Sequence, residues 1–117
     1  MSSKNDKEEI AKEGLDNKNV DSEGFLRRLS DWSEDVAQEL ANQDGIKLSE
    51  EHWEVINVIR AYYAQYKISP ITRTLVKVLK RELGDKVSSV YLMQLFSSKP
   101  AKLVSKIAGL PKPSNCD

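Results

Sequence analysis

The sequence predicts a mainly α-helical fold: a compact bundle of about five helices, a small N-terminal β-hairpin and a flexible C-terminal arm. Apolar side chains recur at three- and four-residue intervals between Asp31 and Ala108, four of the five helical segments open on Ser or Asp and three close on Gly, and their connections are short. With 117 residues and 39% apolar content the chain is sized for one domain, which at this length buries about two thirds of its unfolded surface.

Residues 1–18 are charged, poor in bulky apolar side chains and aperiodic, so they are read as a flexible tail that cannot offset the entropy of ordering. In NVDSEGFLRRL, Asp21 and Gly24 bracket a turn between Val20 and Phe25–Leu26, which predicts the hairpin. The first helix is placed at about residues 31–43. Trp32, Val36 and Leu40 form its stripe, Asp31 with Glu34 its capping box, and Gly45 its stop. Ser49 caps the second, with Glu50 and Glu51 in the first turn and a Leu48–Trp53 staple; Val55, Ile59, Tyr62 and Tyr66 are its predicted buried stripe. Ser69 followed by Pro70 opens the third, and Gly84 ends it. Ile71, Leu75, Val78 and Leu79 face inward, while Arg73, Lys77, Lys80 and Arg81 form a basic stripe that is either a solvent face or a docking face. Val87, Ser88 and Leu92 begin the fourth, which carries Leu95 and Phe96. The fifth runs from about Lys99 to Ala108 and stops at Gly109, so that 19–108 is one helical domain and 109–117 a mobile arm.

Zero net charge conceals a division. Residues 1–50 hold 7 Lys and Arg against 13 Asp and Glu, net −6, and residues 51–117 hold 11 against 5, net +6. That asymmetry fits either an acidic or nucleic-acid partner for the second half, or a plain solvated face. No apolar run is long enough to span a bilayer and the N-terminus has no secretory apolar stretch, so a cytoplasmic protein without membrane attachment is expected.

The chemistry concentrates in GLPKPSNCD. Pro111 and Pro113 exclude helix and favour extended geometry, giving the seven steps from Gly109 to Cys116 a span of about 20 Å. Cys116 is the only cysteine, so it forms no internal disulfide, and one residue from the free carboxylate it is hard to bury. A thiol of ordinary pKa is only about 3% thiolate at neutral pH. Asp117 and the terminal carboxylate oppose ionisation; Lys106, Lys112, Arg73 and Lys77 favour it if the arm folds back toward them, and are equally candidates for partner docking. Thiolate attack on a donor persulfide needs no cofactor. No metal site is expected, because His52 is the only histidine and reads as a solvated or capping residue.

The tail KIAGLPKPSNCD together with LSEEHWEVINVIRAYYAQY resembles the TusE/DsrC family of sulfur-transfer proteins, and DWSEDVAQELANQDG, PITRTLVK and YLMQLF are similar to it in the expected order, from about Phe25 to the end. The resemblance implies an orthogonal helical bundle with an N-terminal hairpin and a flexible arm whose cysteine carries persulfide sulfur. In the TusE branch it implies a TusBCD-like donor and an MnmA-like tRNA 2-thiouridylase as acceptor, with tRNA a further candidate contact. In the DsrC branch the partner is dissimilatory sulfite reductase and a second cysteine takes part; Ser105 stands at that position, which favours the TusE role. Asn115 and Asp117 depart from the family tail, which usually has Gly and a neutral apolar residue there, so a single-cysteine paralogue outside the tRNA pathway stays an alternative.

A rival from another class is a helix-turn-helix nucleic-acid module built from Pro70–Gly84 and Val87–Phe96. Its recognition helix, SSVYLMQLF, has neither Lys nor Arg, the residues that make most phosphate and guanine contacts.

Overall fold

The computed structural model describes residues 19–114; the N-terminal tail and Cys116 lie outside the described residues. Within them, five α-helices follow a 3₁₀ turn at Leu29–Asp31: α1 Glu34–Gln43, α2 Glu50–Tyr66, α3 Thr72–Leu83, α4 Ser89–Phe96 and α5 Pro100–Ile107. The predicted hairpin is a single antiparallel bridge between Val20 and Leu26, closed by hydrogen bonds from Asp21 N to Phe25 O and from Arg27 N to Asn19 O. Asp21 Oδ1 accepts from the Glu23 and Phe25 amides, so the side chain folds the turn that the sequence placed there.

The helix starts show which local signals decided the fold. Ser49 and Ser88 cap α2 and α4 by accepting from the amides of His52 and Tyr91. In α2 the box is closed by His52: its Nδ1 accepts from the Ser49 amide at 3.0 Å, which leaves Nε2–H to donate to the Leu95 carbonyl at 2.8 Å. The ring is 8% exposed and meets Phe96 edge-on, so the residue that reads as a solvated cap also joins α2 to α4.

Two predicted starts are corrected. The first helix opens at Glu34 on Ser33, whose Oγ accepts from the Val36 amide, because Asp31 is committed to the 3₁₀ turn and accepts from Asn19. The third opens at Thr72 on Ile71, without a side-chain cap, because the Ser69 hydroxyl is used elsewhere. The stripe of α2 is also corrected. His52, Val55, Ile56 and Ile59 are buried and Tyr63 packs on the core, whereas Tyr66 is 53% exposed and Tyr62 lines an open groove. The buried centre falls one residue round the helix from the 55–59–62–66 ridge, so that ridge leaves the core after its first two members.

At the centre lies α5, which touches all four other helices and buries Ala101, Val104, Ser105 and Ile107 completely. Each fully buried Val or Ile contributes about 1.5–3 kcal/mol. The helix that carries the arm is therefore packed against every other helix, and the arm begins from a fixed point.

Candidate functional site

The arm leaves α5 through a Schellman turn. Gly109, at φ +76°, lets its own amide bond the Lys106 carbonyl and the Leu110 amide bond the Ser105 carbonyl. Only glycine fits, since a Cβ there would overlap the Trp32 ring as well as strain the backbone. Trp32 also donates its Nε1–H to the Ile107 carbonyl at 2.8 Å, and the Arg60 guanidinium lies 3.7 Å over the same ring while its Nη1 donates to the Ala108 carbonyl at 2.6 Å. Burial lowers the Arg60 pKa, yet a guanidinium stays charged, so this is a charge-assisted hydrogen bond in a partly dry setting. Two of the carbonyls that α5 leaves unpaired at its end are thus satisfied by side chains from before α1 and from α2.

The next steps of the arm are held as well. Leu110 is 3% exposed, the buried Ser69 hydroxyl donates to the Pro111 carbonyl, and Pro113 is buried while Pro111, Lys112 and Ser114 are exposed. The Lys112 ammonium pairs with Glu23 of the hairpin turn at 3.0 Å, and Lys102 of α5 lies 3.6 Å from the same carboxylate. The Lys112 hydrogen bond holds the Glu23 carboxyl below its ordinary pKa, with partial desolvation opposing it and Lys102 adding to it.

Of the residues named from sequence, Lys106 and Lys112 fall in one cluster, each on a carboxylate, with Lys106 Nζ 2.9 Å from Asp44. Arg73 and Lys77 are exposed on α3 and share no hydrogen bond or ion pair with that cluster. Cys116 lies three residues past Pro113 in sequence, outside the described residues. Ser105 is fully buried, and its hydroxyl has no hydrogen-bond partner among the described residues.

Sequence reasoning missed Trp32, Arg60, Ser69 and Glu23 as the arm's anchors. One signal was available: Arg60 is the only charge between Glu54 and Lys67, in the middle of an otherwise uncharged stretch of α2. The others are contacts across 42 to 89 residues, which no local pattern carries. As for the helix-turn-helix rival, α4 buries Leu92 and Phe96 and exposes Val90, Met93 and Gln94, with no cation along its length. None of the described helices is long and apolar enough to cross a membrane.

Comparison with known proteins falls on this same frame. Residues 14–116 match the family model described as DsrC like protein. The chain is 51% identical to the sulfurtransferase TusE of Sodalis glossinidius over 98 residues, 83% of this chain and 91% of the relative. It is 48% identical to the sulfurtransferase TusE of Yersinia pseudotuberculosis, over 83% and 91%. Among solved structures it is similar to DsrC of Allochromatium vinosum, with TM-score 0.77 and 47% identity over 84% of this chain and 88% of that one. It is likewise similar to the oxidized γ-subunit of dissimilatory sulfite reductase, DsrC, from Archaeoglobus fulgidus, with TM-score 0.73 and 40% identity over 84% and 90%. The family model runs through the helices, the locked turn and the arm to Cys116, and on that match the chain belongs to the DsrC-like family.

Proposed function

We propose that the chain is a persulfide sulfur carrier in which Cys116 accepts one sulfur from a donor and passes it to a partner enzyme, in the pathway to 2-thiouridine at the tRNA wobble position. The observation that carries this reading is the position of the only thiol, five residues beyond the last carbonyl clamped by Trp32, Arg60 and Ser69 and three beyond the buried Pro113. With Pro113 docked, three steps separate it from Cys116, a reach of about 10 Å, in place of the seven counted from Gly109. The root fixes where the thiol is presented, and the short span lets it enter a partner's site.

The transfer balances without a cofactor. The Cys116 thiolate attacks the outer sulfur of a donor persulfide, the donor's S–S bond breaks, the donor leaves as a thiolate, and Cys116 holds the persulfide. The acceptor's thiolate takes the outer sulfur in the same way and returns Cys116 to a thiolate. Lys106 and Lys112 are the cations assigned to thiolate tuning, and their present pairing with Asp44 and Glu23 means the effect grows when those pairs open. Arg73 and Lys77 are assigned to partner docking. A TusBCD-like donor and an MnmA-like acceptor are the partners that the resemblance to the TusE branch implies, and the similarity to sulfurtransferases TusE supports a sulfur relay.

A second reading, a subunit-like partner of dissimilatory sulfite reductase, draws on the DsrC structures. Ser105 weighs against it, because a serine cannot join Cys116 in an internal disulfide. Deleting the chain in its own organism decides between the two. Loss of wobble 2-thiouridine, restored by the wild type and not by Cys116→Ser, supports the tRNA role; unchanged 2-thiouridine refutes it.

A further inference from the structure

The exposed surface of α2 is unlike the rest of the molecule. Asn57, Ala61, Ala64, Gln65 and Tyr66 are all exposed and none is charged, in a chain where 31% of residues are charged. Beside this strip, Val58, Ala61, Tyr62 and Tyr66 of α2 and Val78, Arg81 and Glu82 of α3 line an open groove. Its tyrosines pack against one another at a tilt, with ring centroids 4.7 Å apart, and Ile68, two residues past Tyr66, is 53% exposed. Charge depletion with exposed aromatic side chains is the composition of an interface centre, and two alanines at three-residue spacing admit a close backbone.

The α3 flank supplies the sign of the partner. Arg73, Lys77 and Arg81 follow one another at four-residue spacing on the exposed side of α3, with Lys80 adjoining them. Among the described residues Arg73, Lys77 and Lys80 have no ion-pair partner, and Arg81 pairs only with its exposed neighbour Glu82. An apolar floor beside a row of cations that pair with nothing outside their own helix fits an amphipathic helix whose flank is acidic. Tyr66 of the groove is three residues before Ser69, whose hydroxyl holds Pro111 of the arm.

We propose that the α2–α3 groove is the docking site for an acidic amphipathic helix of a partner protein, which it seats beside the root of the cysteine arm. This deepens the carrier reading, on which the partner's place in a sulfur relay rests. The docking helix supplies the apolar ridge for Tyr62, Tyr66 and Val78 and the carboxylates for Arg73, Lys77 and Arg81. Steering by those cations speeds encounter, and the uncharged strip sets the lifetime of the complex.

The test uses the full chain and two synthetic helical peptides with the same leucine ridge, one flanked by glutamates and one by lysines. Titration followed by amide shifts is predicted to perturb Ala61, Tyr62, Tyr66, Val78 and Arg81 with the glutamate peptide. Affinity is predicted to fall about tenfold in Arg81→Glu and in Ala61→Glu, and to weaken as salt is raised. Both positions are exposed, and a thermal melt of each variant checks that it folds. Cys116 loading by inorganic polysulfide, measured on the same samples and unchanged in both variants, separates a failed groove from a failed carrier. Equal binding of the lysine peptide, shifts confined to other surfaces, or concentration-dependent self-association of the chain through Tyr66 would overturn the proposal.

Discussion

Gly109 is the residue on which the arm's direction turns. An alanine there meets both the left-handed backbone, which costs an L-residue about 1–2 kcal/mol, and the Trp32 ring, and overpacking adds about 1–3 kcal/mol. Gly109→Ala is predicted to destabilise by about 2–4 kcal/mol in urea unfolding; a loss below about 1 kcal/mol would show that the indole moves aside at little cost. Arg60 acts through the same carbonyl array rather than on sulfur itself, and is a positioning residue. In Arg60→Ala the Ala108 carbonyl loses its donor and the ring its cation. Loading of Cys116 by a small persulfide is predicted to hold while delivery to a protein acceptor falls about tenfold, and Arg60→Lys fails to restore it because an ammonium lacks the planar fork. A parallel fall in both steps would mean that Arg60 merely holds the fold. Gly109 was legible in the sequence because a helix stop is a local event; Arg60 carried only the oddity of a lone charge in an apolar run.

Among the elements, what could be read in advance tracks the sequence distance over which each signal works. Ser49 and Ser88 were found because a cap bonds an amide three residues away. Ser69 has the same appearance before Pro70, yet its hydroxyl serves a carbonyl 42 residues on, a competition invisible to any local pattern. Periodicity likewise identified α2, but which side of Tyr62 and Tyr66 is covered depends on where α3 lies. His52 shows one residue serving two elements. His52→Ala removes the capping acceptor for the Ser49 amide, the donor to Leu95 and the contact with Phe96. It is predicted to cost about 2–4 kcal/mol, whereas a value near the ~1 kcal/mol of a simple cap would confine its role to α2.

On the scale of the whole molecule, the division of charge between the two halves becomes a set of contacts. Acidic Glu23 and Asp44 from the first half hold Lys102, Lys106 and Lys112 from the second, so the electrostatic asymmetry partly serves to settle the arm's root on the body. The Glu23 pKa is lower folded than unfolded, so its contribution is complete above the ordinary value of about 4.5 and fades as pH falls through the lower folded value. Amide shifts of Lys112 and Ser114 are predicted to stay constant at neutral pH and to move only on acidification below that range, and Glu23→Gln abolishes the movement. Shifts that titrate near neutrality would assign the contact to another group. The central claim, however, concerns sulfur on Cys116. The most direct measurement is the intact mass of the chain after exposure to a persulfide-bearing donor protein. The account predicts a gain of one sulfur that a reductant removes and that Cys116→Ser lacks; an unchanged mass, or the same gain in the serine variant, would contradict it.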